Sequence, residues 1–440
     1  MPLTQHQKKI TFFSLLVILI IVGIAIFGKR GQPQPAVLEI WGFLDQPEIF
    51  APLISDFHRL YPHISINYRL KDYQSYQNDL LQAFADDKAP DIFVVFGNWL
   101  PTYLNKISPL DLSKDKTLNL KYILENYPEI VSKETIINNQ YLLGVPLSID
   151  TLALFYNRDI FNYFNIALPP KTWEDLISLI PILRTTDQNN NLVRSAIALG
   201  THNNVRWNTD ILSALMMQFG SEIVDSENKK AIFDYKPQTG NTFKTFGEEA
   251  LEFYLQFADP KNKNYTWNNN FPDSLLSFSR GRVAMTIGYA QTLDFLKEQN
   301  PQLNFGVSNL PNFSNSPYKI NYGTTINLVV SNRSKNSQAS WLFLKYLTQK
   351  EAAEKYFNLT KRPPSLRVLI SQYSNDPTVG IFISQSLTAK SFYQFNFLKI
   401  KEIFEEMIYA ASIKKMKPSE AVNNAVLKFN FEWGQISKNF

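Results

Sequence analysis

Between Val37 and Phe96 the chain switches its hydrophobic period repeatedly, and that alternation restricts the possible fold more than any other feature. Val37–Trp41 is a short apolar, strand-like run. Phe50, Leu53, Ile54, Phe57 and Leu60 then recur at the spacing of one helical face. His63–Leu70 returns to a β-branched, strand-like pattern, a polar helix runs from about Ser75 to Asp86, and Ala89-Pro90-Asp91 opens the apolar strand Ile92–Phe96. Strand, helix, strand, helix, strand is the pattern of a parallel sheet with helices on its faces, because parallel neighbours need a long crossover between them. Such sheets bind ligands beyond the carboxyl ends of their strands. The loops Trp41–Gln46 and Phe96–Trp99 fall at that edge, and each sets a tryptophan, Trp41 or Trp99, beside small or polar neighbours such as Asn98. Planar rings suit the apolar C–H faces of a sugar, and amides and carboxylates suit its hydroxyl rim. The same rings would serve equally to close a core.

At 440 residues the chain is longer than one hydrophobic core commonly serves, so two lobes are expected. The net charge of +5 is spread along the sequence without a basic stripe between aromatics, which argues against nucleic acid as a partner. With no cysteine there is no disulfide framework. The histidines are His6, His58, His63 and His202, and no pair has metal-ligand spacing. There is no G-x-S-x-G elbow, Walker loop or G-x-G-x-x-G turn. No metal, no cofactor and no catalytic residue is therefore expected, and the chain reads as a binder rather than an enzyme. Glycoside hydrolysis asks only for paired carboxylates, but Glu248/Glu249 and Glu405/Glu406 read as solvated helix faces.

The N-terminus differs in kind. Ile10–Phe27 is apolar apart from Thr11, Ser14 and Gly23, and as a helix it would rise about 27 Å, close to the hydrocarbon thickness of a bilayer. Lys8 and Lys9 precede it and Lys29 and Arg30 follow, so charge does not choose an orientation. Ala25-Ile26-Phe27 is a poor cleavage site. The expectation is a short basic tail (1–9), a transmembrane anchor or signal segment (10–27), of which the retained anchor is favoured, and a Gly/Pro/Gln linker (28–36).

Tyr141–Leu176 joins an extended run (Gly144–Asp150), an apolar strand (Leu152–Tyr156) and a helix with Thr172 as its N-cap. Asp175, three residues on, completes a capping box. This string resembles one in the extracellular solute-binding proteins of ABC importers, the family-1 group of maltose- and sugar-binding proteins, where it carries the chain between lobes. Ser279–Ile287 with Gly288-Tyr289 resembles the family segment that delivers an aromatic ring to the cleft. Asn304–Pro311 resembles its second crossing and Tyr322–Ser331 its returning strand. Ser337–Leu347, followed by Thr348–Glu351 as a second capping box, resembles the helix pair after the last hinge.

The resemblance implies an α/β, two-lobed periplasmic-binding-protein-like fold of type II, each lobe a mainly parallel sheet flanked by helices, preceded by the transmembrane helix. It puts residues 37–149 and 304–333 in lobe 1 and residues 150–303 and 334–440 in lobe 2, with hinges at Ile149, Asp150, Asn304 and Ser331. It implies capture of a small molecule of carbohydrate type, a mono- or oligosaccharide, for ABC import. The partners would be permease subunits, and the membrane through the N-terminal helix. The protein would be a single-pass protein of the cell membrane with its C-terminal domain extracellular or periplasmic. Since no cysteine is present for a lipid tether, the helix would hold it there. By the same resemblance Asp45, Asp150, Asn203, Trp207 and Tyr289 contact ligand, alongside Trp41, Asn98 and Trp99 of the first-lobe loops. Asp150 would alternatively cap its neighbouring segment. Phe395 and Phe397 fall where a further stacking ring or a core residue is expected, and Trp267 is open between surface and cleft. Two other functions stay open: a surface-anchored enzyme acting on glycans, and a sensor or adhesion module that kept the binding fold.

Overall fold

The computed structural model describes residues 34–236, 244–316 and 319–437. The expected anchor Ile10–Phe27 lies outside the described residues, and among those described no helix is long and apolar enough to cross a membrane.

The opening alternation folds as β1 (Ala36–Gly42), α1 (Pro47–Leu60), β2 (Ile64–Leu70), α2 (Tyr76–Ala85) and β3 (Ile92–Phe96). β1 pairs in parallel with β2 from Ala36 opposite Ile64 to Gly42 opposite Leu70, and with β3 at Ile40 and Trp41. Phe50, Leu53 and Phe57 turn the apolar face of α1 into the core, while Leu60, at the last turn, stays 59 % exposed. Next come α3 (Glu129–Thr135) and β4 (Gly144–Thr151), from which the chain passes through Leu152 into β5 (Ala153–Asn157). α4 (Trp173–Leu183), β6 (Thr185–Thr186), β7 (Leu192–Ile197), α5 (Asn208–Phe219), β8 (Val283–Gly288) and β9 (Phe305–Asn309) follow. They complete a second sheet in the order β9-β5-β8-β7-β6. The Thr172 capping box forms with both its bonds, Asp175 N to Thr172 Oγ1 at 3.0 Å and Thr172 N to Asp175 Oδ2 at 3.1 Å.

β10 (Asn321–Val330) then returns to the first sheet, antiparallel to both β3 and β4. α6 (Ser337–Leu347) and α7 (Lys350–Thr360) follow, and after them β11 (Ala389–Lys390) beside β10, α8 (Phe397–Ser412) and α9 (Pro418–Ser437). Two hydrophobic cores result, one under each sheet.

The second sheet is not mainly parallel. β7 and β8 run in parallel, but β5 is antiparallel to β8 and β9, and β6 is antiparallel to β7. A strand that enters a lobe from the cleft must run against the strands that end at the cleft, so each crossing adds antiparallel pairs.

The segments also divide differently from the expectation. Phe305–Asn309 stays in the second sheet, its Phe305 ring 6.1 Å from Phe155, so the second crossing follows Asn309 rather than starting at Asn304. Asn304 sits at the far end of that sheet, its carbonyl accepting from Arg158 N at 2.9 Å and its amide donating to Asp159 Oδ1 at 2.7 Å. Ser331 lies at the far end of the first sheet, its N–H donating to Asp91 O at 2.8 Å. Neither residue is a hinge. α6 and Ala352 and Tyr356 of α7 belong to the first core, with Phe343 at 5.1 Å from Phe57 and Tyr356 at 6.0 Å from Phe50, while Phe357 of α7 already packs into the second. The third passage comes after them. In the helix Arg367–Tyr373, Leu369 faces the first core and the adjacent Ile370 the second. The expected box at Thr348 does not form either: Thr348 Oγ1 donates back to Lys345 O at 2.7 Å, and α7 is entered through Gln349 without a side-chain cap.

Candidate functional site

The strand directions set what faces the interlobe cleft. β1, β3 and β4 end there in the first lobe, and β7 and β8 end there in the second. The loops after them carry the candidate residues.

In the first wall, Trp99 is 2 % exposed. Its ring stacks on Phe43 at 5.4 Å and meets Phe96 edge-on at 4.9 Å. Trp99 Nε1 and Asn98 Oδ1 are both buried without a hydrogen-bond partner among the described residues. Trp41 sits within β1, opposite Arg69 and Phe93, and Lys71 Nζ covers its ring at 3.8 Å. Asp45 is held in a buried ion pair, accepting from Arg362 Nε at 2.9 Å and Tyr356 Oη at 2.7 Å. Gly97 permits a close approach: a Cβ there would lie 1.8 Å from Glu134 Oε2, the oxygen that accepts from Thr325 N at 2.8 Å.

In the second wall, Trp207 has φ 58° and ψ 30°, a left-handed conformation that strains a bulky residue. Its neighbour Arg206 pairs with Asp273 at 3.2 Å, and α5 begins directly after it. The indole edge lies against Gly288, where a Cβ would come within 3.0 Å, and against the Tyr289 ring at 5.4 Å. Tyr289 is buried, and its hydroxyl donates to Asp210 Oδ2 at 2.9 Å. Asn203 is exposed on the same loop. That loop is fixed from behind by Trp267, fully buried, whose Nε1 donates to Thr201 Oγ1 at 3.1 Å and Asn204 Oδ1 at 3.0 Å. Trp267 is thus a supporting core residue, as is Phe395, which packs on Phe429 and Trp433. Phe397 instead reaches across the lobes to Trp99 at 5.7 Å.

Asp150 joins the walls. It is 5 % exposed, and its Oδ1 accepts from its own neighbour Thr151 N and from Ala290 N of the second lobe, both at 2.9 Å. Burial raises its carboxyl to about 6, does the same to Asp210, and raises Glu134 to about 7. Beside the second wall an open surface depression of about 490 Å³ is lined by His202, Lys401, Glu405 and Tyr409 among others. His202 Nδ1 is buried without a partner among the described residues, and the imidazole meets Tyr409 edge-on at 5.0 Å. Asp210 and the α8 residues of this depression were not among the sequence candidates. Asp210 lies inside an apolar helical run, and Lys401 and Glu405 carry the pattern of an ordinary solvated helix face.

A family model for the bacterial extracellular solute-binding proteins matches residues 44–354. The chain belongs to that family. A multiple sugar-binding protein of Streptococcus mutans is 23 % identical over 235 residues, which span 52 % of this chain and 52 % of that relative's own length. An sn-glycerol-3-phosphate-binding periplasmic protein of Yersinia enterocolitica is 22 % identical over 369 residues, 79 % of this chain and 80 % of its own. Among solved structures, a cyclic α-maltosyl-1,6-maltose binding protein from Arthrobacter globiformis superposes with a TM-score of 0.72 at 17 % identity, covering 92 % of this chain and all (100 %) of that one. The sugar-binding protein MalE of Xanthomonas citri gives a TM-score of 0.70 at 19 % identity over 91 % of this chain and 98 % of its own. These likenesses establish the two-lobed periplasmic-binding-protein fold for this solute-binding protein.

Proposed function

We propose that this solute-binding protein captures a carbohydrate, a mono- or oligosaccharide, between its lobes and delivers it to the permease of an ABC importer. The observation that carries this reading is the pairing of stacked rings with unsatisfied polar atoms at one cleft edge. Trp99 Nε1 and Asn98 Oδ1, a donor and an acceptor, are buried without partners among the described residues, beside Phe43 and Phe96. Buried polar groups are normally satisfied, so such a pair fits a ligand that offers both hydroxyl hydrogens and hydroxyl oxygens. Trp207, Tyr289, Asp150 and Asp210 supply the facing surface.

A phosphorylated ligand, as the name of the Yersinia relative suggests for that protein, fits less well. Among the cations near the cleft, Arg362 pairs with Asp45, Arg206 with Asp273 and Lys401 with Glu405 at 3.5 Å, and Lys71 lies over the Trp41 ring. Closure follows from the arrangement, since only the closed form brings both walls to one ligand and ligand therefore shifts the population toward it. The segment Ile10–Phe27 would tether the binder beside its permease, with the lobes outside the cell or in the periplasm. No covalent chemistry is involved.

The test is isothermal titration of the full chain in mild detergent against neutral mono- and oligosaccharides and sn-glycerol 3-phosphate. Saturable saccharide binding without turnover supports the reading. Binding of the phosphate ester alone, or cleavage of a glycan, would reject it.

A further inference from the structure

Glu134 stands in the last turn of α3, and its carboxyl group lies against the turn that carries Asn98 and Trp99. Oε2 accepts from Thr325 N at 2.8 Å and from Thr325 Oγ1 at 2.6 Å. Gly97 makes the space for it: a Cβ there would lie 1.8 Å from Oε2 and 2.5 Å from Thr325 Oγ1. Thr324, next in β10 and opposite Asp150 of β4, accepts at Oγ1 from Asn98 N at 3.4 Å. One carboxyl group therefore fixes both the turn at the cleft edge and the part of β10 beside Asp150. Asn327 Nδ2 donates to Thr325 Oγ1 at 2.7 Å, which adds a third residue to the network. Glu134 Oε1 and Asn327 Oδ1 are buried without a partner among the described residues, and both are acceptors. Among those residues no cation answers them. Tyr322 of β10 is the titratable group beside Glu134, its phenol pushed up by burial and then by the charges of Asp210 and Glu134. Asp150 of β4 is bonded to Ala290 N, Lys390 of β11 and Glu129 and Lys133 of α3 are exposed, and Lys106 lies over the Phe84 ring at 5.4 Å. A network with acceptors to spare and no cation is short of a proton, and the acid form of Glu134 supplies one.

We propose that Glu134 is a positioning residue for ligand capture, which takes up a proton as it sets the Asn98–Trp99 turn and the Thr324–Thr325 stretch for the closed form. The inference rests on the reading that Asn98 and Trp99 face the ligand; Glu134 itself touches none. Burial raises its carboxyl to about 7, while the hydroxyls of Thr325, Ser391 and Thr324 draw it back. Ser391 lies between β11 and α8, on the segment that leads into the second lobe, so closure completes the enclosure of the carboxyl group. Enclosure favours the neutral acid. The closed form then holds the proton more tightly than an open one, and ligand favours the closed form. Affinity is accordingly greatest where Glu134 is protonated in both forms and is lost as pH rises through about 7. Asp150 and Asp210, raised by burial to about 6, act in the same direction at lower pH. The share that belongs to Glu134 is the share that Glu134→Gln removes.

The experiment follows two signals from pH 5.5 to 8.5 in the full chain in mild detergent. One is affinity for maltose, maltotriose, cellobiose and mannobiose. The other is Trp99 fluorescence without ligand, taken as the difference from Trp99→Phe. The variants are Glu134→Gln, which has the shape of the neutral acid, and Thr325→Val, which removes one donor to the carboxylate. Wild-type affinity is expected to fall about tenfold between pH 6 and 8.5, as when the closed form holds the proton about ten times more tightly, and the Trp99 signal to change over the same range. Glu134→Gln is expected to keep the high affinity up to pH 8.5 and to lose the fluorescence change. Thr325→Val is expected to move that change to higher pH, and it decides the matter if thermal unfolding shows Glu134→Gln to be unfolded. A Trp99 signal that titrates alike in the wild type and Glu134→Gln overturns the proposal, as does an equal loss of affinity with pH in both, or a transition unmoved in Thr325→Val. If the wild type binds none of the saccharides, the carbohydrate reading falls by itself, and the fluorescence still decides the role of Glu134.

Discussion

Arg362 is the residue whose loss the structure makes most costly. It follows α7, and its Nε lies 2.9 Å from Asp45 Oδ1, with side chains 14 % and 7 % exposed. A second nitrogen donates to Leu44 O at 3.0 Å, so one guanidinium ties the whole loop after β1 to the segment leaving α7. Arg362→Met keeps an apolar stem of similar reach and deletes the charge. Asp45 is then left buried with Tyr356 as its remaining side-chain donor. Removing one partner of a buried ion pair costs about 3–5 kcal/mol, because the other charge stays desolvated. At about 2–4 °C per kcal/mol for a body of lobe size, the unfolding midpoint should fall by roughly 10 °C. Asp45→Asn combined with Arg362→Met removes the stranded charge along with its partner, and the double variant should regain a large part of that loss. The assay is thermal unfolding of the full chain in mild detergent for the wild type, both single variants and the double variant, read as a double-mutant cycle. A fall below about 2 °C for Arg362→Met, or strict additivity in the double variant, would refute the view that this pair acts as a buried strut.

Protonation should stabilise the fold across the mildly acidic range. Burial raises Glu134 to about 7 and Asp150 and Asp210 to about 6, so the folded state binds protons that the unfolded chain releases. Stability should then rise as pH falls from 8 through this window and be lowest above it. Asp56, held low by the hydrogen bond from Lys355, opposes this only once pH drops into the ordinary carboxylate range. The expected result is a higher unfolding midpoint at pH 5.5 than at pH 8 and a flatter slope in Glu134→Gln; an unchanged slope counts against the assignment. Thr172→Ala removes the side chain that accepts from Asp175 N at 3.0 Å, and should cost about 1 kcal/mol, or about 2–4 °C in the same assay. Tyr289→Phe deletes the donor that Asp210 accepts at 2.9 Å, should cost about 1–3 kcal/mol, and should steepen the pH slope as Asp210 loses a bond to its charged form.

What the sequence made legible was local. The period changes from Val37 to Phe96 became strands and helices within a residue or two, and the Thr172–Asp175 pair formed the box that its spacing announces. Which sheet a strand joins is another matter. Phe305–Asn309 and Asn321–Val330 are both apolar strands after turns, yet one pairs with β5 and the other with β3 and β4. Nothing within either segment encodes that choice. It is made by partners far away in the chain, Phe155 for the first and the edge of β3 for the second. The same holds for α6 and α7, whose amphipathic pattern names a buried face without naming the core that buries it.

The site divides along a similar line. Residue type and strand-end position drew Trp99, Asp150, Trp207 and Tyr289 from the sequence as cleft candidates. They could not tell a ring with a free face from one already covered. Trp41 carries Lys71 on its ring, and Asp45 spends both carboxylate oxygens on Arg362 and Tyr356. Tyr73, in the loop between β2 and α2 and 55 % exposed, is the converse case. Its setting, Lys-Asp-Tyr-Gln-Ser, is that of an unremarkable polar loop, and only the turn held by Asp72 and the proximity of Phe43 and Trp99 turn it into cleft wall. Partial exposure is what separates these residues physically. An aromatic ring packed on all sides has already gained its burial energy in the free protein, whereas one packed on its edge and open on the rest still has that area to gain when ligand arrives.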